Sequence, residues 1–200
     1  MNKFFIFNNI KSGIKNFINF LGYEIKGINK EIKNQTLDEI LKQYLPKNPT
    51  IFDIGANKGQ SIIRFQKIFK NPIIHSFEPI PNEFEILKKN FENNKNIKLN
   101  NFALGELEEY KDFNITASSG TSSFNKINHG TKWLQVRSKQ NNIAEENYIE
   151  KVEKVKIKTL DDYCKINNIK HIDLIKIDTQ GYEDKVEEPK QEEFKPKTKD

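Results

Sequence analysis

Short apolar runs alternate with amphipathic segments between residues 50 and 102. The runs Thr50–Ile54, Ile73–Phe77 and Ile97–Phe102 are typical of buried strands. The segments between them, Gln60–Phe69 and Asn82–Phe91, carry apolar residues at helical spacing. Strands separated by single helices predict right-handed parallel βαβ units. We therefore expect a doubly wound, mostly parallel α/β sheet whose first strands lie in the order third, second, first.

The alternation breaks between residues 105 and 158. Glu108–Ile115 alternates weakly, Ser118–Ser123 has the composition of a loop, and the residues around Trp133 form a long polar stretch. Residues 152–157 then predict a further strand. Thr159, followed by two aspartates, predicts the start of another helix.

A fourth strand of the parallel sheet is predicted over Ile172–Ile177, an apolar run interrupted only by Asp173 and Lys176. Beyond Glu183 the chain becomes charged, contains two prolines and has almost nothing to bury, which predicts disorder.

The first 45 residues predict two helices. Residues 4–21 place apolar side chains at helical spacing with lysines on the other faces. This amphipathic helix either packs on the domain or lies on a membrane surface, and the pattern leaves both open. Thr36-Leu-Asp-Glu39 has the spacing of a capping box and predicts a helix that stops before Pro46. We expect an N-terminal helical segment over 1–45, an α/β domain over 46–183 and a disordered tail over 184–200.

Composition excludes several classes of protein. A single cysteine cannot build a disulfide framework, which favours a reducing, cytoplasmic location. No apolar run approaches the roughly 20 residues of a transmembrane helix. The formal net charge is +5, but 33 basic residues are interleaved with 28 acidic ones, so we expect no nucleic-acid partner.

The candidate chemistry begins at the turn Asp53-Ile-Gly55-Ala-Asn57-Lys-Gly59, between the first strand and its helix. Glycines there let the backbone turn tightly and approach a cofactor closely. The spacing differs from Gly-x-Gly-x-x-Gly, the dinucleotide fingerprint. Asn57 is suited to the left-handed conformation that such a turn requires.

An acidic residue follows at the distance expected for a ribose contact. Glu78 ends the second strand, 19 positions after Gly59. A carboxylate at this place can accept hydrogen bonds from the two ribose hydroxyls of a nucleotide. The alternative is an ordinary exposed glutamate at a strand end.

Four motifs in order resemble the FkbM-type methyltransferases. They are the Asp53–Gly59 turn, Phe77-Glu78-Pro79, Thr159-Leu-Asp161 and Ile172–Glu183, so the resemblance runs from about residue 50 to residue 183. It implies a Rossmann-like fold, S-adenosylmethionine as methyl donor, and usually O-methylation of a hydroxyl of a sugar or secondary metabolite.

The resemblance also implies roles for particular residues. It places Asp53, Gly55, Asn57 and Gly59 in the cofactor loop and Glu78 on the ribose. Asn101 and Ala103 match the region that usually faces the adenine. The Ser118–Ser123 segment resembles a serine-rich segment near the cofactor, and a plain solvated loop is the alternative.

Catalytic candidates lie at the carboxyl end of the fourth predicted strand, where open α/β sheets bind ligands. Asp178 is the first candidate for the base or for orienting the acceptor. Lys176 alternates to the same side of the strand and can pair with it, and Glu183 completes the polar cluster. A purely structural Lys–Asp pair is the alternative. We predict no metal site.

The sequence departs from the family pattern after Glu183. The familiar chain continues with a helix and further strands, whereas no apolar run of strand length follows here. We therefore expect that the C-terminal half of the sheet is missing and that the fourth strand becomes an edge, open to homodimerisation. On this hypothesis the chain is a truncated methyltransferase with impaired activity.

The motifs leave two other functions open. One is an NAD-dependent sugar-nucleotide oxidoreductase, disfavoured by the glycine spacing and by the lack of a Tyr-x-x-x-Lys pair after the third strand. The other is a non-catalytic remnant that keeps a nucleotide half-site. The acceptor's identity is not encoded in any motif.

Overall fold

The computed structural model describes residues 35–187. The helix predicted over 4–21 and residues 188–200 of the predicted tail lie outside this range. The chain divides into two compact units, one formed by residues up to 100 together with 171–178, the other by residues 101–170 and those from 179 onward. No helix within 35–187 combines the length and apolar character that a bilayer crossing needs.

The described elements, in chain order, are seven strands and six α-helices. The strands are β1 (Thr50–Ile54), β2 (Ile73–Phe77), β3 (Ile97–Asn100), β4 (Ala103–Leu104), β5 (Glu109–Thr116), β6 (Ile149–Lys158) and β7 (Leu174–Ile177). The helices are α1 (Leu37–Tyr44), α2 (Gln60–Ile68), α3 (Pro81–Phe91), α4 (Lys132–Asn141), α5 (Leu160–Ile166) and α6 (Glu183–Glu187).

The first unit is built on a parallel sheet in the order β3-β2-β1-β7. This order and the Rossmann-like α/β class confirm the prediction, since right-handed crossovers place each new strand on the expected side. Within the described residues β7 pairs only with β1, so it lies at an edge of the described sheet. The buried core of this unit consists of Leu41, Ile51, Ala56, Ile62, Phe65, Phe69, Ile74, Leu87, Phe91, Ile97 and Leu174.

Helix starts follow the predicted capping signals. The Thr36 hydroxyl accepts from the Glu39 N–H while the Glu39 carboxylate accepts from the Thr36 N–H, so both halves of the capping box are present. α3 begins at Pro81, one residue earlier than predicted, because proline suits the first helical position.

The second unit carries its own three-stranded sheet in the order β4-β6-β5, in which β6 pairs parallel with β4 and antiparallel with β5. The strand predicted over residues 152–157 lies in β6, and the weakly alternating segment Glu108–Ile115 lies largely in β5, which pairs with it in this separate sheet. Alternate residues of β5 and β6, among them Phe113, Ile115, Val155 and Ile157, are buried.

Two parts of the second unit differ from the sequence interpretation. The polar stretch around Trp133 contains α4, whose first turn is capped by the Thr131 hydroxyl and which buries only Leu134 and Ser138. Such a narrow buried face leaves almost no helical periodicity to detect. Residues 184–187, at the start of the predicted disordered tail, belong to α6, where Val186 is buried.

The Ser118–Ser123 segment is not a plain solvated loop. Thr121, Ser122 and Ser123 are buried. The Thr121 hydroxyl lies 2.8 Å from the Thr116 hydroxyl and 2.8 Å from the Tyr148 hydroxyl. These side chains satisfy one another inside the unit, which explains why a polar segment can be buried.

Candidate cofactor site

The turn after β1 uses the left-handed conformation at three positions. Gly55 has φ +76°, Asn57 has φ 49° and Gly59 has φ +94°. The positive φ at Asn57 confirms the conformation predicted for it, because asparagine tolerates this region better than other residues with a side chain.

Gly55 is required for a second reason. A Cβ at this position would lie 2.1 Å from the Asp178 carbonyl oxygen. The turn therefore approaches the end of β7 with no room for a side chain. Gly59 is equally restricted, since its Cβ would lie 2.2 Å from the Phe91 ring of α3.

The backbone N–H groups of the turn are already hydrogen-bonded inside the protein. Those of Gly55 and Ala56 donate to the Phe77 carbonyl, both at 3.0 Å. The Asn57 N–H donates to Glu78 Oε2 at 2.8 Å. The Lys58 N–H donates to the Asn57 side chain at 2.9 Å. A turn whose donors point inward is not arranged to hold a phosphate, which requires N–H groups aimed at the ligand.

Glu78 is a buried carboxylate fixed at the tip of β2. Only 3% of the residue is exposed, so the interpretation as an ordinary exposed glutamate is wrong. Its second oxygen, Oε1, accepts from the Ile80 N–H at 2.9 Å. Burial raises the pKa of Glu78 to about 7, opposed by these two backbone hydrogen bonds and reinforced by nearby Glu83 and Asp53.

Asp53, fully buried in β1, lies beside Lys176 of β7. The two residues are register partners in the parallel pair, and Lys176 Nζ lies 3.1 Å from Asp53 Oδ1. Burial raises the pKa of Asp53, and Lys176 and the Ser61 hydroxyl oppose that rise. Lys176 Nζ also donates to the Gly55 carbonyl at 2.8 Å.

Asp178 lies at the carboxyl end of β7, with its side chain 54% exposed. Its Oδ2 is 3.9 Å from Lys176 Nζ, so the predicted pair is present. The lysine nevertheless lies closer to Asp53, which the sequence interpretation had not paired with it. An accessible carboxylate at this rim can contact a ligand bound at the end of the sheet.

The remaining predicted residues lie in the second unit. Asn101 is exposed, and Ala103 is buried in β4 opposite Ile157. Glu183, at the start of α6, closes a turn by accepting from the N–H groups of Thr179 at 3.1 Å and Gly181 at 2.9 Å.

The sequence interpretation missed two features of the first unit. One is the bond from the turn to Glu78, and the other is the contact of Lys176 with Asp53 and Gly55. The available signal was a single acid in the apolar strand β1 and a single cation in the apolar strand β7. Buried opposite charges in neighbouring strands are expected to pair, but the register that joins them is not written in either strand.

The parallel sheet, the glycine turn after its first strand and the buried acid at the tip of the second define a Rossmann-like α/β fold. The chain belongs to the FkbM methyltransferase family, because the family model described as Methyltransferase FkbM domain matches residues 53–195.

One curated relative is the 2-O-methyltransferase NoeI of Sinorhizobium fredii (strain NBRC 101917 / NGR234). It is 25% identical to this chain over 164 residues, which cover 80% of the chain and 65% of the relative. The chain thus spans less than two thirds of the length of this relative.

Proposed function

We propose that this protein is an S-adenosylmethionine-dependent O-methyltransferase whose acceptor is a hydroxyl of a saccharide or a similar metabolite. The observation that carries the proposal is the hydrogen bond from the left-handed Asn57 turn to Glu78. It joins the turn after β1 to a carboxylate at the carboxyl end of the neighbouring strand, where Rossmann-like sheets bind nucleosides.

The polar groups of this site fit a nucleoside that carries no phosphate. Glu78 is buried at the tip of β2 with each oxygen held by a backbone N–H, and it is the acceptor proposed for the ribose hydroxyls. Asn101 and Ala103 are proposed to face the adenine, on the strength of the family resemblance. When bound, S-adenosylmethionine supplies an electrophilic methyl group on a sulfonium.

Asp178 is the proposed base or acceptor-orienting group. Its exposed carboxylate stands at the end of β7, next to the turn that would hold the cofactor. From there it can accept the proton of an acceptor hydroxyl while the turn holds the donor in line. Glu183 was a further catalytic candidate, and its bonds to Thr179 and Gly181 favour a role in shaping the loop after Asp178.

The inward-bonded turn disfavours the oxidoreductase alternative. A dinucleotide places its pyrophosphate on N–H groups of the glycine turn and of the helix that follows it. Here the N–H groups of residues 55–58 are all engaged within the protein. The similarity to a 2-O-methyltransferase supports a hydroxyl acceptor.

The first experiment compares binding of S-adenosylhomocysteine and NAD by calorimetry. We expect the first to bind and the second not to bind. Glu78→Ala should weaken S-adenosylhomocysteine binding at least about tenfold, because the acceptor proposed for the ribose hydroxyls is lost. Glu85→Ala on the exposed side of α3 is the matched control and should bind as the parent does. Binding of NAD in place of S-adenosylhomocysteine would reject the proposal.

The second experiment follows transfer of a labelled methyl group to a panel of saccharides. Asp178→Asn should retain S-adenosylhomocysteine binding and lower turnover by about a hundredfold or more, as expected for loss of a general base. Asp112→Asn, at an exposed position of β5, is the control. Equal turnover of Asp178→Asn and the parent would remove Asp178 from the mechanism.

Three expectations from the sequence remain predictions. They are a cytoplasmic location, homodimerisation through the β7 edge, and membrane contact through residues 4–21, which lie outside the described range.

A further inference from the structure

Lys176 contacts two neighbouring parts of the chain, the end of β1 and the first residue of the turn that follows it. Its ammonium lies 3.1 Å from the Asp53 carboxylate and donates to the Gly55 carbonyl at 2.8 Å. Because Asp53 is two residues before Gly55, one side chain reaches both the last part of the strand and the first residue of the turn. The ammonium is therefore shared between a charge and a backbone carbonyl.

The backbone at the end of β7 contacts the same short segment, Ile54 and Gly55. The Asp178 N–H donates to the Ile54 carbonyl at 3.0 Å. The Asp178 carbonyl oxygen lies 2.1 Å from the position that a Cβ on Gly55 would take. Two successive carbonyls, those of Ile54 and Gly55, are thus held by β7, the second of them by a side chain. The peptide group that carries the Gly55 carbonyl is also held at its other end, where the Ala56 N–H donates to the Phe77 carbonyl.

Stability alone does not account for this arrangement. Removing two charges from water carries a desolvation cost that often cancels their attraction, so an apolar pair of similar volume would hold the strands equally well. An apolar pair cannot hold the Gly55 carbonyl. Gly55 has φ +76°, a region that glycine reaches without steric cost, so contacts set the orientation of the peptide that follows it. These contacts are the Phe77 carbonyl on the Ala56 N–H and the Lys176 ammonium on the Gly55 carbonyl.

We propose that Lys176 is a positioning residue for cofactor binding, which acts by holding the Gly55 carbonyl and touches neither cofactor nor acceptor. This inference rests on the proposed function. It separates two roles of Lys176, the neutralisation of Asp53 and the orientation of the turn. The sequence had suggested a third, the pairing with Asp178.

A double-mutant cycle distinguishes the two roles. The variants are Lys176→Met, Asp53→Asn and the double variant, and each is measured for urea unfolding and for S-adenosylhomocysteine affinity. Lys176→Met alone should lower both, since it leaves the buried carboxylate uncompensated and the Gly55 carbonyl unheld. In the Asp53→Asn background the stability cost of losing Lys176 should largely disappear. The affinity cost should persist at about tenfold or more.

The control is Lys98→Met, the same change at an exposed position of β3. It should alter neither the urea unfolding nor the S-adenosylhomocysteine affinity. If the affinity cost vanishes in the Asp53→Asn background, Lys176 serves only as a counter-charge and the inference is wrong. If the double variant does not fold, Lys176→Gln decides. It retains an N–H donor without charge and should bind more tightly than Lys176→Met, and equal affinities overturn the inference.

The outcome for the parent protein separates this inference from the proposed function. A parent that binds no S-adenosylhomocysteine rejects the proposed function, and the present inference with it. A parent that binds while Lys176→Met binds equally well rejects the inference alone.

Discussion

At the scale of single residues, Glu78 combines burial with two backbone hydrogen bonds, and burial dominates. The folded protein holds the pKa of Glu78 at about 7, against 4.5 for an ordinary glutamate. A carboxyl group with a raised pKa binds its proton more tightly in the folded state. Its contribution to stability is therefore complete below pH 4.5 and is lost as the pH rises through 7.

We predict that Glu78→Gln removes this pH dependence. Between pH 4.5 and 7 the parent should lose about 3 kcal/mol of unfolding free energy relative to the variant, which is neutral throughout. His75, whose pKa is lowered to about 4 mainly by burial, acts in the opposite sense but is present in both proteins. Urea titrations at several pH values measure the difference. A constant difference across this range would show that Glu78 titrates normally.

Asn57 tests the conformation of the turn itself. We predict that Asn57→Gly unfolds with a free energy at least about 1 kcal/mol higher than Asn57→Ala, because alanine resists the left-handed conformation. Both variants lose the side-chain bond to the Lys58 N–H, so their difference isolates the backbone term. Chemical denaturation measures it. Equal stabilities would indicate that the turn relaxes to a negative φ.

At the scale of elements, α5 depends on the residue that caps its N-terminus, Thr159. The Thr159 hydroxyl accepts from the Asp162 N–H at 3.1 Å and donates to the Asp162 carboxylate at 2.6 Å. We predict that Thr159→Ala lowers the unfolding free energy by about 1 kcal/mol or somewhat more, through the lost cap. Thr159→Ser retains the hydroxyl and should retain most of that stability. If the serine and alanine variants unfold alike, packing of the Thr159 methyl group is responsible.

The elements that the sequence predicted are those with strong local signals. β1 and β2 follow from apolar runs, α2 from apolar residues at helical spacing, and α1 and α5 from their capping threonines. α4 was not predicted, because it buries only Leu134 and Ser138. The pairing of β5 with β6 was not predicted either, because each strand alone alternates weakly.

The candidate site was predictable to a similar extent. Gly55, Asn57 and Glu78 were identified because turn chemistry and strand ends are local properties of a sequence. The contacts of Lys176 with Asp53 and Gly55 join positions more than 120 residues apart. Their geometry depends on the register of β1 against β7, which is a tertiary property.

At the scale of the whole molecule, the two units have separate hydrogen-bonded sheets. β1 lies between β2 and β7, and Ile51, Phe52 and Ile54 are almost completely buried. The chain leaves this sheet after residue 100 and returns to it at residue 171, and the segment between forms the sheet of the second unit. A structure with two sheets is expected to open in two steps, because cooperative opening follows contiguous packing.

We predict two classes of protected amides in hydrogen exchange, one in β1 and β2 and one in β5 and β6. Phe113→Leu, in the buried face of β5, should lower the opening free energy of the second class by about 1 kcal/mol and leave the first unchanged. Phe52→Leu, in β1, should do the reverse. Each variant is thus the control for the other. If either substitution lowers the opening free energy of both classes equally, the two sheets open together. Changes in the second sheet would then affect the turn that is proposed to hold the cofactor.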